Sequence, residues 1–129
     1  MNDSTVTVQQ LREAMGTFVH ERDWEQFHTP KNLSMSIAIE AAELMEHFQW
    51  RSPEESNRLD AALRHQVAEE LSDIVLYALS MANALDLDLS QALLAKLEKN
   101  RRKYPAEQVR GKAHKYTHYR PQRDDTGER

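Results

Sequence analysis

Ile37-Ala-Ile-Glu40-Ala-Ala-Glu43-Leu-Met-Glu46-His-Phe48 is the stretch on which the fold is decided. At ~100° per residue, Ile37, Ala41, Leu44 and Phe48 fall on one apolar stripe, as an amphipathic helix requires. Glu40 and Glu43 lie at the edge of that stripe. They are three residues apart, so both side chains face the same way, while Glu46 points elsewhere. The same period extends in both directions. Leu11, Met15, Phe18, Val19 and Arg22 predict a helix from Val8 to Asp23, followed by an aromatic, polar connector to Asn32 in which Pro30 ends one element or starts the next. The helix containing the opening stretch then runs from Leu33 to about Phe48. Ser52-Pro53-Glu54-Glu55 is a helix-start signal, and the period continues, with a bend allowed, to about Leu85. Asp88 or Ser90 caps a further helix ending near Lys103, before Pro105.

Four helices with short connections and no strand signal predict an all-α antiparallel four-helix bundle over residues 1–105. Residues 106–129 read as a basic, flexible tail. The chain has 129 residues, 40% of them hydrophobic and 29% charged, which suits one globular domain. A chain this short buries only about two-thirds of its unfolded surface. Together with its aromatics near helix ends, that predicts a homo-oligomer, a dimer or tetramer.

Composition removes several function classes. There is no cysteine, so thiol catalysis and cysteine-bound metal are excluded. No glycine occurs between residues 17 and 110, so the body holds no glycine-rich phosphate loop. Residues 1–100 carry net charge −9 and residues 101–129 carry +5. An acidic body argues against nucleic-acid binding, which needs a basic face. The longest uncharged stretch near the middle, Ile74 to Leu85, is far shorter than the ~20 residues of a membrane span. The N-terminus lacks a secretory pattern. A cytoplasmic protein with no membrane partner is the expectation.

The third helix carries the chemistry further. Leu63, Val67, Ile74 and Met81 form its stripe, with Glu70 inside it and Asp73 beside it. A carboxylate on a core-facing stripe is costly unless it is paired or holds a metal. Glu40-x-x-Glu43 and Glu70-x-x-Asp73, on two helices that pack together, bring four acids to one place. They repel one another unless a cation joins them, and hard oxygen ligands suit Mg²⁺ or Mn²⁺. A di-iron centre needs Glu-x-x-His on two helices, and the one such motif, Glu25–His28, lies in a connector. His47 neighbours the acidic cluster, and a hydrogen bond to it is an expectation. Hard cations in an acidic bundle neutralise phosphates and hold a diphosphate leaving group, which points to phosphoanhydride hydrolysis.

These paired acids resemble the signature of the MazG-like all-α nucleoside triphosphate pyrophosphohydrolases. The segments Glu21–His28, Glu43–Trp50, Glu69–Asp73 with Tyr77, and Lys96–Pro105 resemble the dCTP pyrophosphatase branch. The resemblance implies Mg²⁺-dependent hydrolysis of a deoxynucleoside triphosphate, dCTP or a related pyrimidine nucleotide, to the monophosphate and pyrophosphate in nucleotide-pool house-cleaning. It implies that Glu40, Glu43, Glu70 and Asp73 hold the metal and orient the attacking water. Trp24, Glu25, Gln26, Phe27, His28, Trp50 and Tyr77 would line the nucleotide pocket, and Lys96 and Asn100 would approach phosphates or base. Met15 stands where the family has a base-pocket histidine, which predicts a softer, less discriminating wall. The rival readings are a relative acting on dUTP or phosphoribosyl-ATP, and a helical module whose acidic face binds a basic partner. Glu70 on the inward stripe disfavours the second.

Overall fold

The computed structural model describes residues 1–113. These fall into two compact units, Met1–Leu89 and a second beginning at Ser90. The helices are α1 (Val8–Glu21), α2 (Pro30–Glu46), α3 (Pro53–Ser56), α4 (Ala61–Ala84), α5 (Leu89–Lys103) and α6 (Ala106–Val109), with a 3₁₀ turn at Glu25–Phe27. No strand occurs among the described residues, so the fold is all-α. Four of the helices are long, α1, α2, α4 and α5. No helix among the described residues is long and apolar enough to cross a membrane.

Local chemistry sets the helix boundaries. Thr7 and Gln10 form a reciprocal capping box at the start of α1. Thr29 caps α2, with Pro30 in the first turn, where its missing N–H costs nothing. Ser52 accepts from Glu55 N at 3.1 Å and starts α3. That helix lasts four residues. The expected continuous helix to Leu85 is instead broken at Asn57–Asp60, because Asp60 Oδ1 accepts from Leu63 N at 2.8 Å and starts α4 afresh. Both α1 and α4 end with an aspartate in the left-handed region, Asp23 at φ 52° and Asp86 at φ 50°. In each case the next N–H reaches back to a carbonyl five residues earlier, Trp24 to Val19 and Leu87 to Ala82, which satisfies the helix end.

In the first unit α4 packs against both α1 and α2. His28, just before α2, meets Ser80 near the end of α4, whereas His47 at the end of α2 lies beside Glu70 in its middle. The two helices are therefore antiparallel. Arg12 of α1 ties to the last turns of α4 through Asn83 Oδ1 and the Ala82 carbonyl, and Asn83 Nδ2 donates back to the Arg12 carbonyl. Among the described residues the buried apolar core is small: Met15, Val19, Leu33, Leu79 and Ala82, with Leu33 fully enclosed. The four larger side chains are worth about 1.5–3 kcal/mol each at most, and Ala82 less, so the unit rests on few residues.

Candidate metal and nucleotide site

On α2 the covered face runs through Leu33, Ile37, Glu40, Leu44 and His47, while Ala41 is exposed. The face is thus rotated by about one residue from the stripe drawn through Ala41. Glu40 sits within it rather than at its edge. On α4 the covered line is Leu63, Val67, Glu70, Ile74, Tyr77 and Met81, as the period predicts, with Asp73 exposed beside it.

Antiparallel packing then brings Glu40, Glu43 and Glu70 together, one carboxylate oxygen from each lying within 4.8 Å of the others. Glu43, Glu70 and Asp73 also line an acidic cleft of about 580 Å³. In this unit no lysine or arginine pairs with these groups; His47 Nε2, 3.7 Å from Glu70 Oε1, is the nearest basic atom. Glu40 Oε2 is shut off from water without a hydrogen-bond partner. Burial, then the carboxylates of Glu43, Asp73 and Glu70, push the Glu40 pKa from 4.5 up to about 7. An orphaned buried carboxylate oxygen among converging acids fits a hard divalent cation, since hard-oxygen donors are what Mg²⁺ and Mn²⁺ take. Without one the arrangement costs stability.

A second cavity, of about 600 Å³, opens at the junction of α1, α4 and the connector. Its wall includes Arg12, Gly16, Glu25, His28, Ser80 and Asn83. His28 stacks against Trp24 with centroids 6.4 Å apart and tilts toward Tyr77 at 6.2 Å, and Phe18 meets Trp24 edge-on. Tyr77 lies one turn beyond Asp73, so α4 links this aromatic row to the acids. Glu25 is held by His20 Nδ1 at 2.7 Å; its own backbone N–H and that histidine lower its pKa. Gln26 donates to the Asp23 carbonyl, and Phe27 is exposed.

One part of the expected pocket, Trp50, is not brought into this row within the first unit. Trp50 is 89% exposed and makes none of its ring contacts. Lys96 and Asn100 lie on α5 in the second unit. Met15 is buried on α1 rather than walling the cavity.

Sequence reasoning also missed Ser80, a buried polar residue whose Oγ lies 2.9 Å from His28 Nδ1. Its signal was a hydroxyl in the apolar run Ile74–Leu85, three residues after Tyr77.

Comparison with known proteins places the chain in a family. Residues 35–118 match the model of the MazG-like family. The chain is 44% identical over 116 residues to the Bos taurus protein named dCTP pyrophosphatase 1, covering 88% of this chain and 69% of the relative. It is 41% identical over 113 residues to the Homo sapiens protein of that name, covering 86% and 66%. The chain thus spans about two-thirds of the length of these relatives. A crystal structure of a pyrophosphatase from Archaeoglobus fulgidus superposes with a TM-score of 0.72 at 37% identity, covering 81% of this chain and 98% of that one. With an all-α fold, paired acids on antiparallel helices and matches of this extent, the chain belongs to the MazG-like family.

Proposed function

We propose that the chain is a Mg²⁺-dependent nucleoside triphosphate pyrophosphohydrolase. It would cleave a deoxynucleoside triphosphate, dCTP or a related pyrimidine nucleotide first, to the monophosphate and pyrophosphate. The observation that carries this reading is the convergence of Glu40, Glu43 and Glu70, the first of which holds an orphaned, buried carboxylate oxygen. Relatives named dCTP pyrophosphatase 1 support the substrate class.

In this reading Glu40, Glu43, Glu70 and Asp73 hold the cation, with Mn²⁺ as a working substitute. When bound, it neutralises phosphate charge and makes water a stronger nucleophile. Among the described residues no lysine or arginine is paired with the four acids, and His47 Nε2 lies 3.7 Å from Glu70 Oε1. Trp24, His28 and Tyr77 offer ring faces and edges on which a base stacks. Glu25, Gln26 and Phe27 shape the connector that carries Trp24 and His28. For Lys96 and Asn100 the family resemblance implies a contact to phosphates or base. Trp50 at 89% exposure, Ile39 at 58% and Met45 at 57% support self-association, because a second copy would remove that apolar surface from water. The reading places the enzyme in house-cleaning of a cytoplasmic nucleotide pool.

The test is a panel of dCTP, dTTP, dUTP, dATP and phosphoribosyl-ATP with Mg²⁺ and pyrophosphate detection. dCTP should release pyrophosphate, and Glu70→Ala should abolish that release while the chain stays folded. Release of no pyrophosphate from any member of the panel contradicts the proposal.

A further inference from the structure

The acidic centre has two buried polar atoms without hydrogen-bond partners, Glu40 Oε2 and His47 Nε2. A cation accounts for the first, as an acceptor waiting for a positive charge. It would account for the second only if His47 were itself a ligand, and His47 is not in the converging donor set, so its nitrogen needs a reason of its own. His47 directly follows the last residue of α2, four residues after Glu43, and so falls on the same helix face. Its Nε2 lies 3.7 Å from Glu70 Oε1, with the two side chains 21% and 22% exposed. That distance is too long for a hydrogen bond. An adjustment of under ~1 Å closes it to the ~2.9 Å optimum.

A carboxylate has two oxygens. Once one Glu70 oxygen joins Glu40 and Glu43 around a cation, the other needs a donor to fix the plane of the group. Groups behind metal ligands commonly supply such a donor. His47 is not among the residues whose donor atoms converge within 4.8 Å, so it stands behind the ligands rather than with them. A buried donor left open costs about 1–3 kcal/mol, and natural chains accept such costs at functional sites. We propose that His47 is a positioning residue for Glu70: its Nε2–H takes Glu70 Oε1 when a divalent cation draws the three carboxylates together. One event then satisfies both orphaned atoms. This inference rests on the metal-binding reading above and adds a residue to it.

The experiment is calorimetric titration of the full, nucleotide-free chain with Mg²⁺, beside urea unfolding in EDTA, for wild type, His47→Leu, His47→Gln and His47→Asn. His47→Leu fills similar space without a donor. It should weaken Mg²⁺ binding about 10–100-fold and leave metal-free stability equal or higher, since it removes an unpaired polar atom. His47→Gln keeps a side-chain N–H at similar reach and should hold affinity within a few-fold of wild type. His47→Asn, whose amide stops short of Glu70, should fall with His47→Leu and replaces it if that variant misfolds. Wild-type affinity in both the Leu and Asn variants overturns the proposal. So does failure of Gln to restore binding, which would make His47 a direct ligand. A wild-type chain that takes up no Mg²⁺ overturns the metal reading itself, and this proposal with it.

Discussion

Glu40→Gln should stabilise the metal-free chain, and the size of the gain follows from the site. Glu40 titrates at about 7 in the folded chain against 4.5 unperturbed, because it is buried and faces Glu43, Asp73 and Glu70. A raised folded pKa means that the native state binds its proton more tightly than the unfolded one. Stability is therefore intact below about pH 4.5 and is lost as pH rises through about 7. At ~1.4 kcal/mol per pKa unit the full cost at high pH is about 3 kcal/mol. Glu43 is half-buried and Asp73 exposed, so water screens part of it, and a gain of about 1–3 kcal/mol is expected for the neutral amide. The assay is urea unfolding by circular dichroism in EDTA at about pH 5 and about pH 8. Near pH 5 the folded wild-type group is protonated and close in shape to glutamine while the unfolded group is already partly ionised, so the variant should lead by only a fraction of its pH 8 margin. Near pH 8 the variant should be the more stable. Millimolar Mg²⁺ should then stabilise the wild type, by preferential binding to the native state, and leave the variant almost unmoved. A variant less stable than wild type near pH 8 in EDTA, or stabilised by Mg²⁺ as strongly, refutes the reasoning.

The same titration predicts that Mg²⁺ binding near pH 6 releases close to one proton, and near pH 8 almost none; calorimetry in buffers of different ionisation enthalpy measures the difference. Ser80→Ala removes the hydroxyl that holds His28 and should raise KM for dCTP several-fold, at about 1 kcal/mol for one hydrogen bond, with kcat little changed in steady-state assays. Asp86→Gly relieves a left-handed aspartate at the end of α4 and should raise unfolding free energy by about 0.5–1 kcal/mol in denaturant melts.

The helices were legible in the sequence because their apolar residues repeat at helical period and their caps are side chains of known preference. Glu70 stood out as an acid inside an otherwise apolar stripe, and the structure keeps it there. Other features depend on how helices meet, which no single stripe encodes. Glu40 looked peripheral because the row Ile37–Ala41–Leu44–Phe48 was drawn through alanine, a residue equally at home inside or outside. The face packed on α4 is turned by one position, which half-buries the acid and encloses its Oε2. The break at Asn57–Asp60 carries no glycine or proline, so only the Asp60 cap marks it. Ser80 was hidden by its size, since a hydroxyl in an apolar helix reads as neutral until its partner, 52 residues away, is known. Trp50, which the family resemblance assigns to the nucleotide pocket, is open to solvent in this chain.

The most direct test of the central claim is hydrolysis of dCTP by the full chain with Mg²⁺ in ¹⁸O-enriched water, the products read by ³¹P resonance and mass. Attack at the α-phosphorus predicts dCMP carrying one ¹⁸O, together with unlabelled pyrophosphate, in wild type, and neither product from Glu70→Ala. Label in orthophosphate or in pyrophosphate, or dCDP as a product, would contradict it.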